Sequence, residues 1–392
     1  MFFCCPPSRI VGGAAVVFAF AGCSAGGSSG PALPPGNAVA SDRTASRAAL
    51  HGPFRITDAL HGLGSPSDAL RFVRPGALDP TAPSAGVYAS QYGNPATALG
   101  GSISLYAIPD SNNAAPVCTS GKATAINGIG VDASGTLWVP GSLPGKVSSP
   151  TNDVFAYAAN TCTPNKTKLT ETNGQGSDIA FASTGTIYVL DVLDKSYVSG
   201  LISVYPAGNT KPASTLKLPG IGRYDPNTGK GGLALGIATD AADNVYASYE
   251  NTHGGTDIAV FAGGAGPGKI LQRSPSTTYE GLTFDANGNL LAAGEVSGRF
   301  GAIYVFQPPY NAFPSAQIPT FAASIPVDLK LDPANANLYV SDVSNGTIDV
   351  YAYPKVTYEY SISNGLVASY GVEGVAVDPA ASALQVSASR KR

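Results

Sequence analysis

Apolar and polar positions alternate with a period of two in short runs along the chain, and each run ends on an aromatic side chain. The first three are Ile103-Ser104-Leu105-Tyr106, Val154-Phe155-Ala156-Tyr157 and Ile202-Ser203-Val204-Tyr205. Three more follow, Ile258-Ala259-Val260-Phe261, Ile303-Tyr304-Val305-Phe306 and Ile348-Asp349-Val350-Tyr351. Successive side chains leave a strand on opposite faces, so this alternation predicts strands with one face buried. The aromatics recur at spacings of 51, 48, 56, 45 and 45 residues, which marks an internal repeat.

A second pattern precedes each run: an apolar strand, an Asp, a small-residue turn, then another strand. Gly128-Ile129-Gly130-Val131-Asp132 leads to Leu137-Trp138-Val139, and Gly236-Ile237-Ala238-Thr239-Asp240 to Val245-Tyr246-Ala247. Gly281 to Asp285, Asp328 to Asp332 and Gly374 to Asp378 repeat it. In the second copy, Asp178-Ile179-Ala180-Phe181, Ser183 is read as standing where the turn Asp should be. Each repeat thus offers an inner strand, a turn, two further strands and a weaker fourth, which is one propeller blade. The expected fold is all-β, a six-bladed propeller of four-stranded antiparallel blades over residues 84–388. Its ends are out of phase, so N- and C-terminal segments should pair to close the ring. Val87-Tyr88-Ala89 is the favoured second strand of that closing blade, with Leu384-Gln385-Val386-Ser387 as its competitor.

The inner strand ending Val-Asp-x-x-Gly, the following Leu-Tyr-Val and the run Val204-Tyr205-Pro206-Ala207-Gly208-Asn209 resemble NHL-type six-bladed propeller repeats of secreted bacterial proteins. The resemblance implies blade geometry and says little about activity.

Ahead of the repeats, Arg9 precedes the uncharged run Ile10 to Ala21, too short for a helix that must cross about 30 Å of hydrocarbon. Phe20-Ala21-Gly22-Cys23 resembles the lipobox of bacterial lipoproteins, with Phe20 in place of the usual Leu. It implies a signal peptide over 1–22, cleavage before Cys23 and lipidation of that residue. A Ser/Gly/Pro-rich tether would follow over 23–83, with one helical turn begun by Ser65-Pro66-Ser67-Asp68, and a basic tail closes the chain at 389–392. The expected address is the bacterial cell envelope, exported and held to the membrane through lipid on Cys23.

Composition narrows the function classes. Gly and Pro number 47 and 31 of 392 residues and only 12% are charged, which suits many turns and argues against a helical bundle. A net charge of −3 and no basic cluster before Arg390-Lys391-Arg392 argue against nucleic acid. With Cys4 and Cys5 in the signal and Cys23 lipidated, Cys118 and Cys162 either pair as a disulfide or stand as two isolated cysteines.

Catalytic patterns are sparse. His51 and His61 fall in the tether and His253 in a loop, with no Gly-x-Ser-x-Gly elbow and no His-Glu-x-x-His helix. One constellation bears on chemistry. Five residues before each turn the inner strands begin with Asn127, Asp178, Leu235, Glu280, Val327 and Glu373, at the mouth of a propeller channel. Oxygen donors suit a hard cation such as Ca²⁺. By strand position Asn127, Asp178, Glu280 and Glu373 are similar to the central metal site of gluconolactonase and paraoxonase-type propellers, which implies a metal-dependent hydrolase as the alternative function. The first expectation is a non-enzymatic binding or scaffold module without a cofactor. Its protein or carbohydrate partner would be met by the loops Gly220 to Gly232 and Tyr249 to Asp257.

Overall fold

The computed structural model describes residues 86–378 apart from 93–100, 109–112, 122–125, 142–152, 171–172, 195, 197, 226–230, 253–254, 297–299, 323 and 368–370. The expected signal, Cys23, tether, helical turn, His253, Leu384 to Ser387 and basic tail lie outside the described residues. Those that are described form a six-bladed propeller of four-stranded antiparallel sheets.

From inner to outer strand, blade one is Gly130–Val131, Leu137–Gly141, Asp153–Tyr157 and Pro164–Thr170. Blade two is Gly174–Phe181, Ile187–Asp194, Leu201–Tyr205 and Ser214–Lys217. Blade three is Ala234–Thr239, Val245–Glu250, Thr256–Phe261 and Lys269–Ser274. Blade four runs Thr277–Phe284, Leu290–Val296, Phe300–Phe306 and Ala316–Ala322. Blade five runs Pro326–Leu331, Asn337–Asp342, Thr347–Ala352 and Thr357–Ile362.

Blade six closes the ring. Its inner strand Val372–Val377 pairs with Gly86–Gln91, which pairs in turn with Ser102–Ala107 and then Cys118–Ser120. Val87 stands between Val377 on one side and Tyr106 on the other, so the second-strand place is filled from the N-terminal side. Cys118 of this blade is joined to Cys162 of blade one by a disulfide, with the two Cα atoms 5.8 Å apart, which ties the closing blade to its neighbour.

The repeat aromatics are the reason the blades pack. Tyr106, Tyr157, Tyr205, Phe261, Phe306 and Tyr351 are all buried, at no more than 3% exposure. Each contributes on the order of 2–3 kcal/mol by leaving water. Polar closure comes from the turns: Asp132, Asp240 and Asp285 each accept the backbone N–H groups two and four residues on. That is turn chemistry.

Candidate functional site

All six inner strands run the same way along the central channel, from an upper end where they begin to a lower end where they turn. The turns fix how they align. In blades one, three, four and five the turn opens on Asp132, Asp240, Asp285 or Asp332, whose N–H reaches Thr136, Asn244, Asn289 or Asn337. In blade two the equivalent bond runs from Ala182 to Thr186. Ala182, not Ser183, therefore holds the turn position, and the blade-two register moves by one residue from the sequence expectation. Ser183 donates instead, through N–H and Oγ, to Asp243 in the turn of blade three.

In the corrected register the channel has layers. Five residues before the turn stand Asn127, Ser177, Leu235, Glu280, Val327 and Glu373, and all six line one upper cavity of about 40 Å³. Asp178 also lines that cavity, one layer deeper than expected. Its layer reads Gly128, Asp178, Gly236, Gly281, Asp328 and Gly374, with an acid in blades two and five on opposite sides of the ring.

These two aspartates close sheet edges. An inner strand faces the channel with unpaired backbone groups, which are costly when buried. Asp178 accepts Ile179 N–H at 2.8 Å and Ile237 N–H of the next blade at 3.0 Å. Asp328 does the same with Leu329 at 2.8 Å and Val375 of the next blade at 3.0 Å. Each needs a glycine beside it. A Cβ on Gly128 would overlap the Asp178 carboxyl, and one on Gly281 would lie 2.6 Å from the Asp328 Cα.

Lys330 completes the plug. Its Nζ lies 2.7 Å from Asp328 Oδ1. Burial disfavours its charge, but Asp328 and Asp178 more than offset this and raise its pKa. Burial pushes both aspartates up, opposed by the same ammonium. A long side chain fits here because the other residues of its layer are small, namely Gly130, Ala180, Ala238, Thr283 and Ala376. Below it the channel opens into a funnel of about 610 Å³, which Lys330 and those small residues line. Asp328 and Lys330 escaped the sequence reading. The available signal was an Asp where four of the other five copies carry Gly, with Lys two residues on.

Above the plug, three side chains offer oxygen to the cavity. Their backbone carbonyls are held from the preceding blade: Ser90 Oγ donates to Asn127, Ser248 Oγ to Glu280, and Ser341 Oγ to Glu373 at 3.1 Å. Asn127 Oδ1 is buried without a hydrogen-bond partner. Burial, then repulsion from Glu373, Glu295 and Glu250, pushes the Glu280 carboxyl up to about 8. Burial alone pushes Glu373 to about 7. Asn127, Glu280 and Glu373 therefore offer this cavity oxygen donors of the type a hard cation takes. Asp178 does not, since both its oxygens are taken by amides. Among the described residues no group of three or more His, Cys, Asp or Glu is arranged to hold a metal ion.

The two loops expected to meet a partner lie together at the upper end. Ile221 bridges to Asn251, and Gly222 N–H reaches Glu250 O at 3.3 Å. Tyr224 N–H bonds Val198 O at 2.7 Å, and its ring is buried with Val192, Leu193 and Leu233. Asn251 holds the second loop by donating to Asp257 at 2.8 Å and accepting Gly255 N–H at 3.2 Å. Arg223 and Thr252 are left exposed on this platform.

No protein-family model and no curated protein matches the chain. Among solved structures, the crystal structure of a nidogen/laminin complex is similar at a TM-score of 0.51 and 14% identity, covering 75% of this chain and 98% of that one. A protein of unknown function from Bacteroides caccae is similar at a TM-score of 0.51 and 10% identity, covering 75% and 99%. At such identities the likeness is one of fold: this chain shares the propeller architecture of both.

Proposed function

We propose that the protein is a non-enzymatic binding module of the bacterial cell envelope, anchored by lipid on Cys23 and presenting its upper loops to a protein or carbohydrate partner. The observation that carries this reading is the placement of the loops at the end opposite Gly86, where the described chain enters the propeller. Gly86, the first described residue, stands at the lower end, where its carbonyl accepts Asp378 N–H at 3.0 Å. The longest connection between strands, 218–233, packs with the 251–255 loop at the opposite end. A tether on one face and a built platform on the other suit a domain that faces away from its membrane. The upper cavity, about 40 Å³, has room for a water or two, or one ion, so a macromolecular partner is met by the loops around it. A propeller of this fold also occurs in a complex between two proteins, nidogen and laminin.

Two measurements test the reading. Metabolic labelling with radioactive palmitate should mark the protein and lose the mark in Cys23→Ala. Alanine at Arg223, Asp225 and Thr252 together should remove at least one envelope component from those that co-purify with the tagged protein. An unchanged set would overturn the assignment of that surface.

The orphaned Asn127 Oδ1 favours a second reading, a metal-dependent hydrolase of the gluconolactonase and paraoxonase-like kind. Asn127, Glu280 and Glu373 would hold a Ca²⁺-type cation completed by water, and the cation would supply electrophilic polarisation of a bound carbonyl. Titration calorimetry with Ca²⁺ decides it: heat lost in Glu280→Gln supports a cation site, and no heat with the native chain ends it.

A further inference from the structure

The lower funnel, about 610 Å³, is not used by the binding role proposed above. Its collar is formed by Val131, Phe181, Phe284 and Leu331, each half-buried and each one residue before its turn. Above the collar the wall is lined by small residues up to Lys330. Half-exposed Phe and Leu around a concavity of about 610 Å³ form a surface that gains from being covered.

The chain itself leads to this place. Ala376 and Val377 line the funnel, and Asp378 follows the inner strand directly. Residues 379–392 continue from that point, and 14 residues reach up to about 45 Å when extended, ample to cross the mouth. Their first part, from Pro379 to Ala388, combines Leu384 and Val386 with four Ala, a mix of apolar and small side chains that suits an apolar collar. The alternation at Leu384 to Val386 has no place left in blade six, because Gly86–Gln91 already pairs on both of its edges.

Charge agrees with shape. The turns that ring the mouth carry Asp132, Asp240, Asp243, Asp285 and Asp332, and among their described residues there is no Lys or Arg. The segment ends with Arg390-Lys391-Arg392. We propose that residues 379–392 of this same chain seat on the lower funnel, with Leu384 and Val386 against the Phe181 and Phe284 collar and the three basic residues over the acidic turns. This contact does not depend on the binding or hydrolase readings, because it uses neither the upper loops nor the upper cavity.

The test is photo-crosslinking in the full chain, with a benzophenone side chain introduced at position 384 and products mapped by mass spectrometry. The expected result is an intramolecular product joining position 384 to peptides that contain Phe181, Phe284 or Leu331. Charge reversal by Arg390→Glu, Lys391→Glu and Arg392→Glu should lower its yield about fivefold at low salt, and 1 M salt should do the same in the unaltered tail. Folding is checked by the near-ultraviolet signal of Trp138, so a lost crosslink in a folded chain counts against the proposal. Products confined to the blade edges, to the upper loops or to a second copy would overturn it. So would an absent product together with binding of the unreversed tail to anionic phosphatidylglycerol vesicles, which would assign the basic residues to a membrane surface.

Discussion

Replacing Glu280 by Gln should make the protein more stable at alkaline pH, the reverse of what loss of a buried polar contact would do. Burial lifts the Glu280 carboxyl from 4.5 to about 8, so the folded state holds its proton over a range where the unfolded chain has released it. Stability from such a group is complete below about pH 4.5 and is lost as the pH rises towards 8. The full shift corresponds to about 4–5 kcal/mol. Water reaching the half-buried carboxyl and relaxation around it reduce this, and about 2 kcal/mol is a sound expectation at pH 8.5. For a domain of this size that is about 4 °C in midpoint. Thermal unfolding followed by circular dichroism from pH 5 to pH 9, with chelator present, reads it directly. The native midpoint should fall across that range, and Glu280→Gln should fall less and lie above it at pH 8.5. Equal slopes for the two proteins, or a flat native profile, would refute the electrostatic picture of the upper cavity.

The other predictions concern the plug, its glycines and the disulfide. Lys330→Met leaves Asp178 and Asp328 without their cation, and breaking a buried ion cluster should cost about 3–5 kcal/mol at pH 8. That loss should shrink as pH falls, because protonating the aspartates removes the uncompensated charge, and denaturant midpoints at pH 5 and 8 will show it. Gly281→Ala places a Cβ 2.7 Å from Asp328 Oδ1 and should cost about 1–3 kcal/mol by the same measurement. Cys118→Ala with Cys162→Ala opens a 44-residue loop and should cost about 4 kcal/mol in the chain-entropy model. Dithiothreitol should then lower the midpoint of the native protein and not that of the double variant.

The fold was legible because a propeller writes its geometry locally. Half-buried strands must alternate, and the contact between blades demands an aromatic at the same place in each repeat, so Tyr106 to Tyr351 carry the blade count. Positions counted back from a turn Asp were correct wherever that Asp existed, which places Asn127, Glu280 and Glu373 on one cavity. Blade two misled because its turn opens on Ala182, which leaves no mark, while the neighbouring Ser183 resembles a replacement for Asp. The plug was not legible for a different reason. Asp178 and Lys330 are brought together across the ring by closure, and the one local signal, Asp328 in a Gly position with Lys two residues on, does not mark that meeting.

The most direct test of the binding reading is site-specific photo-crosslinking in living cells. Probes at Arg223 and Thr252 report the upper platform, and a probe at Asn209, exposed in a lower hairpin, reports the other end. The account predicts one shared adduct from Arg223 and Thr252 that is absent from Asn209. The same adduct from all three positions, or adducts from Asn209 alone, would contradict it.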